Sequence, residues 1–432
     1  MNRWLWIAWL GAARIVMAGP YSLGLDDPDN VHDAPVPGFT GPHGDGKARL
    51  EDGLGGIEHP GNHVHPLFFG WAAEVEDYFR ADGQAGFAEP GVALGEVTGD
   101  NFDVVSLGDL EQAQIDAWLA DPDHNSGPGS LTLRFAEPIR DLSGADFAVF
   151  ENGFISGCAT GGIGIGGVFA ELAFVEVSAD GVSFTRFPAT SLTAAPVGGY
   201  ASVDPTGIRN LAGKHVNAHG DCWGTPFDLA EIGMDEVSYV RLVDVPGSGD
   251  LTDAGGRPIY DAWHTFGSGG ADVEAVGAIS VAMTFAAWPQ LAKLPSDQRG
   301  ATDDPDGDGF DNLAEYAFGM LPWQAEPGRR PLRVERAQHG GAMPTELVFA
   351  RDERLLDMTY ELCSSADLES WTPVARSVGG RPVAAADGAA AVVSESRAGG
   401  IASVGVLREV RVRDAGAARG PRFYRVEVTL RR

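Results

Sequence analysis

The run Asp304-Pro-Asp306-Gly-Asp308-Gly309-Phe310-Asp311-Asn312-Leu-Ala-Glu315 places oxygen donors at loop positions 1, 3, 5, 9 and 12, with Gly309 at position 6 where the chain must turn sharply. Calcium is a hard ion that takes about six to eight oxygens, and this spacing is the one that supplies them. The expected ligands are the side chains of Asp304, Asp306 and Asp308, the backbone carbonyl of Phe310, Asn312 directly or through water, and the carboxylate of Glu315. The plainer reading is a solvated turn rich in Asp and Gly. Asp311 stands at position 8, where paired calcium loops carry an apolar residue, and the residues before Asp304 read as a loop. The pattern therefore points to a solitary structural site with only an exiting helix, from Leu313 to Phe318.

A second set of chemistry-bearing residues is spread over the larger part of the chain: Asp103, Glu151, Asn152, Glu171, Glu176, Asp228, Asp261, Asp272 and Glu274. A charged group at a strand end must be solvated, paired or ligating, which singles out Val-Phe-Glu151-Asn152-Gly153 and Ala271-Asp272-Val-Glu274. Structural hydrogen bonding or a second cation ranks first for these residues, ligand contact second and catalysis third. Glycoside hydrolysis needs two carboxylates about 5 to 9 Å apart, and Glu151 and Glu171 are the candidates for it. Sugar rings stack on aromatic faces, so Trp223, Trp263, Tyr200, Tyr260 and His264, all in loop-like contexts, are a possible platform; packing as lids over the core is the plainer reading. The candidate ligand-binding set is thus Glu151, Asn152, Glu171, Trp223, Trp263 and Asp272.

Two histidine runs, His59/His63/His65 and His215/His219, have spacings at which imidazoles bind transition metals, but Pro and Gly make both runs loop-like. There is no Gly-x-Ser-x-Gly elbow and no phosphate-cradling loop, since Gly161 to Gly167 lacks a lysine and precedes a strand. Cys158 and Cys222 lie in Gly-rich loops and are candidates to pair, with free thiols the equal alternative. Cys363 sits in a strand-like run and reads as a small buried hydrophobe.

The elements that must position these residues are mostly strands. Ser130 to Phe135 alternates strictly, and Asp146–Glu151, Leu172–Ser178, Ser183–Phe187, Val237–Val243 and Val276–Phe285 follow, separated by Gly and Pro. Helix-like patches appear at Pro66–Phe79, with Trp71, Val75, Tyr78 and Phe79 near one face, and at Leu110–Leu119. Beyond the calcium loop, Glu346–Phe349, Met358–Leu362, Leu407–Val412 and Phe423–Leu430 read as strands of a smaller unit. The order Ser-Ala-Asp-x-x-Ser-aromatic occurs twice, at Ser178–Phe184 and Ser365–Trp371, and reads as one hairpin solution used in two sandwiches.

The expected fold class is mainly β: an antiparallel β-sandwich, jelly-roll-like, followed by a calcium-loop linker and a smaller immunoglobulin-like sandwich. The expected division is a signal peptide at 1–18, a loop-rich lead-in at 19–65, the main sandwich at 66–288, the linker at 289–325 and the C-terminal sandwich at 326–432. The start has a positive residue, an apolar run too short to span a bilayer, and small residues before Ala18, as an export signal does. No later apolar run reaches spanning length, so the mature chain is expected to be secreted or held at a cell surface. With 61 acidic against 31 basic residues, a net charge of -30 argues against nucleic-acid binding. The 44% hydrophobic content argues against disorder.

Val105-Ser-Leu-Gly108, Asp146-Phe-Ala-Val-Phe-Glu-Asn-Gly153, Phe169-Ala-Glu-Leu-Ala173, Val175-Glu-Val-Ser-x-Asp-Gly181, Leu211-Ala-Gly-Lys-His215, Gly224-Thr-Pro-Phe-Asp-Leu229 and Val240-Arg-Leu-Val-Asp244, spread over roughly residues 66 to 285, together resemble uncharacterised secreted cell-surface proteins of environmental bacteria. Asp304 to Gly319 is similar to the thrombospondin type 3 or dockerin-like calcium segment that precedes a C-terminal sandwich in such proteins. The resemblance implies export, calcium and β architecture, and no activity. Taken together, the sequence points to a non-enzymatic calcium-binding module for adhesion or for binding an extracellular ligand, with polysaccharide or another surface component as the partner class. An extracellular glycan hydrolase and a ligand-capture protein for an outer-membrane importer remain open beside it.

Overall fold

Leu131, Leu133 and Phe135 alternate with polar residues, and in the strand Ser130–Arg140 all three are buried in one core. The same logic builds the rest of an 11-stranded antiparallel sheet. Its strands lie in the order Val36–Pro37, Trp223–Phe227, Phe147–Glu151, Asp272–Ala278, Gly70–Phe79, Ser130–Arg140, Glu236–Asp244, Ala173–Ser178 and Thr185–Arg186. Leu211–Ala212 and Val105–Ser106 pair as side branches. The computed structural model describes residues 19–21, 34–41, 44–47, 49–50, 57–58, 62–157, 161–267, 269–336, 345–397, 407–414 and 422–431.

The sheet curls so that both of its halves line one core, where Phe147, Phe187 and Phe227 meet with centroids 5.0 to 5.9 Å apart. Each such aromatic pair adds about 0.5–1.5 kcal/mol beyond the area it buries. Gly70–Phe79 sits at the curl: Gly70 and Trp71 pair with Ala278 and Gly277, whereas Ala72 to Phe79 pair with Ser130–Phe135.

This strand corrects the helix expected at Pro66–Phe79. Ala72, Val75 and Tyr78, spaced by three, face Phe135, Leu133 and Leu131, spaced by two, because bulges fall between Ala72 and Glu74 and between Val75 and Asp77. Two inserted residues convert a period of two into a period of three, which imitates a helix. The expected strand Val276–Phe285 is corrected as well. It runs from Asp272 to Ala278, and Met283 and Phe285 then pack with the C-terminal unit. Of Ser183–Phe187 only Thr185–Arg186 is strand. The helix expected at Leu110–Leu119 is present as Gln112–Ala120, opened by a capping box between Glu111 and Gln114.

The C-terminal unit is two four-stranded antiparallel sheets. One runs Leu332–Arg336, Thr345–Asp352, Leu407–Asp414, Ala391–Arg397; the other runs Ala384–Ala385, Thr372–Val378, Met358–Ser365, Phe423–Leu430. Leu347, Phe349, Tyr360, Leu362, Val410 and Val412 fill the space between them. Trp288, Leu294, Tyr316, Phe318 and Met320 belong to this same core, so the segment expected as a linker is packed against the C-terminal sandwich. Among the described residues, no helix is long and apolar enough to cross a membrane.

Candidate functional site

The helix Asn312–Phe318 is fixed at its start by Asp311, whose Oδ1 accepts from the Ala314 amide at 2.9 Å, and at its end by Gly319 in the left-handed region. Position 8 of the loop is therefore a helix N-cap, which is why it carries Asp and not an apolar residue. Ahead of it, Gly307 and Gly309 take positive φ (75° and 97°), and the loop turns back on itself. Asp304 accepts from the amides of Gly307 at 2.8 Å and Gly309 at 3.1 Å. Asp306 accepts from Asp308 at 3.2 Å, and Asp308 from Phe310 at 2.9 Å. These bonds bring oxygens of Asp304, Asp306 and Asp308 within 4.8 Å of one another.

Glu315 completes the arrangement from the helix. Its side chain is 1% exposed, and neither carboxylate oxygen has a hydrogen-bond partner. Burial, followed by the charges of Asp306, Asp308, Asp304 and Asp311, pushes its carboxyl up to about 8. Asp306 Oδ2 and Asn312 Oδ1 are likewise buried without a partner. The Asn312 amide nitrogen is spent on the carbonyls of Gln298 and Gly300, both at 2.8 Å, which leaves the oxygen as the free end. A buried carboxylate facing three others is costly for the protein alone and favourable around a hard cation. Asp304, Asp306, Asp308, Asn312 and Glu315 have the donor chemistry for calcium. The Phe310 side chain packs against the C-terminal core.

The carboxylates of the main sheet divide into groups with different fates. Glu176 is held between Arg186 and Arg241, Asp228 caps a short helix by accepting from Ala230 and lies beside Asp141 and Asp146, and Asp103 bonds Thr98. Glu274 accepts from the amides of Thr98 and Gly99 and from Asn217 Nδ2, and burial pushes it up to about 7. Glu151, Glu171 and Asp272 do come together, and Asp109, Asp244 and Asp261 join them. Thr265 Oγ1 lies 3.1 Å from Asp109 Oδ2 and 2.5 Å from Glu171 Oε1, bridging the two. Burial first, and the other carboxylates next, hold Glu151, Glu171, Asp244 and Asp261 well above the usual carboxylate range. Asp109 and Asp244 escaped the sequence reading; the one signal was Val240-Arg-Leu-Val-Asp244, a carboxylate ending an apolar strand.

The other expected ligand residues are dispersed. Asn152 donates to the Asn101 carbonyl at 3.3 Å. Trp223 is half-buried at the outer edge of the sheet opposite Pro37, and Trp263 donates to the Leu110 carbonyl at 3.1 Å. Tyr200 is exposed and stacks on Phe169. The histidines do not form a metal cluster among the described residues. His63 stacks on Trp323 with centroids 4.2 Å apart, and His65, pushed down to about 4 by burial, accepts from the Leu67 amide. His59 lies outside the described residues. So does Cys158, and with it the expected pairing to Cys222, which is buried. Cys363 is buried, as expected.

A cavity of about 250 Å³ lies between the main sheet and the C-terminal unit, lined by His65, Leu67, Phe69, Trp288, Met320 and Arg354 among others. It shares no residue with the carboxylate cluster. No family model, curated protein or solved structure matches this chain.

Proposed function

We propose that this is an exported, calcium-stabilised β-sandwich protein that binds an extracellular ligand, with calcium locking its two sandwiches into one rigid body. The observation that carries the reading is Glu315: an enclosed carboxylate with both oxygens unpartnered, facing Asp304, Asp306 and Asp308. Calcium bound there would offset two of the four negative charges and tie the loop to the helix.

The neighbouring contacts say what such an ion would stabilise. Asp308 Oδ2 accepts from the Glu326 amide at 2.9 Å, so the loop grips the chain that leads into the C-terminal sandwich. Tyr316, next to Glu315, reaches Asp357 of that sandwich, and Tyr360 donates to the Ala317 carbonyl at 2.5 Å. Extracellular calcium is plentiful enough to fill a site of modest affinity. The apolar run at the start of the chain and the resemblance to secreted bacterial surface proteins support that setting.

Two measurements on the full chain test this. Calorimetric titration with calcium should show binding that Glu315→Gln weakens at least tenfold, and EDTA should speed proteolysis within roughly residues 290–330. Unchanged cleavage in EDTA sinks the lock. Incubation with insoluble polysaccharides in calcium should give retention without release of reducing sugar. Release that disappears in Glu151→Gln would mean a hydrolase instead.

A further inference from the structure

Three consecutive backbone amides at the start of the strand Asp272–Ala278 each hold a different buried carboxylate. Gly270 donates to Glu171 Oε1 at 3.1 Å, Ala271 to Asp244 Oδ1 at 2.9 Å, and Asp272 to Glu151 Oε1 at 3.1 Å. Successive amides span only a few ångströms of chain, so carboxylates from three separate segments are gathered around one short stretch. Asp272 adds its own side chain, and Asp109 and Asp261 stand close enough to repel the group.

Two oxygens in this gathering are left over. Glu151 is 3% exposed and Asp244 1%, yet Glu151 Oε2 and Asp244 Oδ2 have no hydrogen-bond partner. Glu151 Oε2 stands where only glycine leaves room: a Cβ on Gly213 would lie 3.0 Å from it and 2.4 Å from the Glu171 carbonyl oxygen, and a Cβ on Gly270 would lie 2.8 Å from Asp244 Oδ1, the oxygen that accepts from Ala271. Arg80, whose charge reaches Asp272, is committed to Asp82 at 2.6 and 3.0 Å, and Lys214 donates to the Ile208 carbonyl. Even if Arg80, Lys214 and His264, whose charge reaches Asp109, are all set against the six carboxylates, three negative charges remain when all six are ionised. An excess of that kind calls for protons or for a cation.

We propose that Glu151, Glu171, Asp244 and Asp272 form a second site for a hard divalent cation of the calcium class, at the strand end farthest from the Asp304 loop in sequence and independent of it. All of the donors are oxygens, which suits calcium and not zinc or copper. Among the described residues, these oxygens are not drawn within 4.8 Å of one another in threes, as those of Asp304, Asp306 and Asp308 are. One oxygen each of Glu171, Asp244 and Glu151 is held on its own amide, and an ion would draw the two unpartnered oxygens inward.

The test is calcium stoichiometry on the full chain, stripped with EDTA, dialysed and titrated with calcium chloride, with folding checked by circular dichroism. Wild type should bind about two ions and Glu315→Gln, which removes the loop site, about one. Asp244→Asn and Glu151→Gln should each keep the loop ion and lose the other. A folded Glu315→Gln protein that binds none overturns the proposal, even if the cluster variants do not fold. Folded cluster variants that still bind as wild type overturn it too. If the loop reading is the one at fault, Glu315→Gln changes nothing while Asp244→Asn abolishes binding.

Discussion

The Tyr316 hydroxyl donates to Asp357 Oδ1 at 2.8 Å, and the same carboxylate accepts from the Phe285 amide through Oδ2 at 2.7 Å. Asp357 thereby joins the helix that carries Glu315, the chain leaving the main sheet, and the C-terminal sandwich. Tyr316→Phe removes one of these links and leaves a charged acceptor short of a partner, at a cost of about 1–2 kcal/mol. The expected result is a lower urea midpoint, with faster proteolysis of the joint even in saturating calcium. A variant that matches wild type in both measurements would show that this hydroxyl adds nothing to the joint.

Arg354 staples the two units at a second point. Its guanidinium stacks 3.4 Å above the Phe69 ring, donates to the carbonyls of Leu67 at 2.6 Å and Ile279 at 3.2 Å, and pairs with Asp352 at 2.7 Å. Removing one partner of a buried pair leaves an uncompensated charge and costs about 3–5 kcal/mol. Arg354→Ala should lose that much in denaturant unfolding. Arg354→Lys should recover little of it, because an ammonium cannot supply the planar fork or the stacking face. Full rescue by lysine would mean that charge alone is what matters.

Asp146 sets a pH dependence with a definite sign. It is buried between the amides of Leu142 at 3.0 Å and Leu229 at 2.7 Å, with Asp141 and Asp228 close by. Burial, reinforced by the charge of Asp228 and opposed by the two amides, pushes its carboxyl from 3.8 up to about 8. Across that interval the folded chain holds a proton that the unfolded chain has released. The contribution is therefore complete at low pH and is lost as pH rises through about 8. Urea midpoints measured in EDTA should fall from pH 5 to pH 8, and Asp146→Asn should make the fall shallower; an equal or steeper fall would contradict the assignment. The other buried carboxylates, raised in the same direction, keep the slope from vanishing.

What the sequence made legible follows from how locally each feature is encoded. The candidate oxygen donors from Asp304 to Glu315 are set by spacing along one short loop, and the structure brings Asp304, Asp306 and Asp308 together with Glu315 within reach of their charges. Strands such as Ser130–Arg140 announce themselves by alternation. Gly70–Phe79 does not, because its two bulges shift the period. Trp223–Phe227 hides behind Gly, Thr and Pro; Pro226 is tolerated because only Trp223 and Gly224 carry a partner on the outer side. The carboxylate cluster depends on the order of strands that are distant in sequence, so Asp109 and Asp244 could not be joined to Glu151 and Asp272 until that order was known.

The repeated Ser-Ala-Asp run supplies the last prediction, because the two copies fold alike and differ at one informative residue. Asp180 Oδ1 accepts from Ser178 Oγ and from the amides of Val182 and Ser183; Asp367 Oδ1 accepts from Ser365 Oγ and from the amides of Glu369 and Ser370. An arginine caps the returning aromatic in each copy, Arg241 over Phe184 at 3.8 Å and Arg425 over Trp371 at 4.1 Å. The turn requires positive φ at the next residue. The first copy has Gly181 there at 75°, but the second has Leu368 at 65°, with its side chain 55% exposed. A leucine in the left-handed region costs about 1–2 kcal/mol and, so exposed, recovers little by packing. Leu368→Gly should therefore raise the stability of the C-terminal sandwich by up to about 1 kcal/mol, after the greater freedom of glycine in the unfolded chain is set against the gain. Gly181→Leu should lower stability by at least as much, since a Cβ there would also meet the Tyr239 ring at 2.9 Å. Thermal unfolding of the two variants decides it. A Leu368→Gly protein less stable than wild type would mean that the leucine side chain makes contacts worth more than the strain of its backbone.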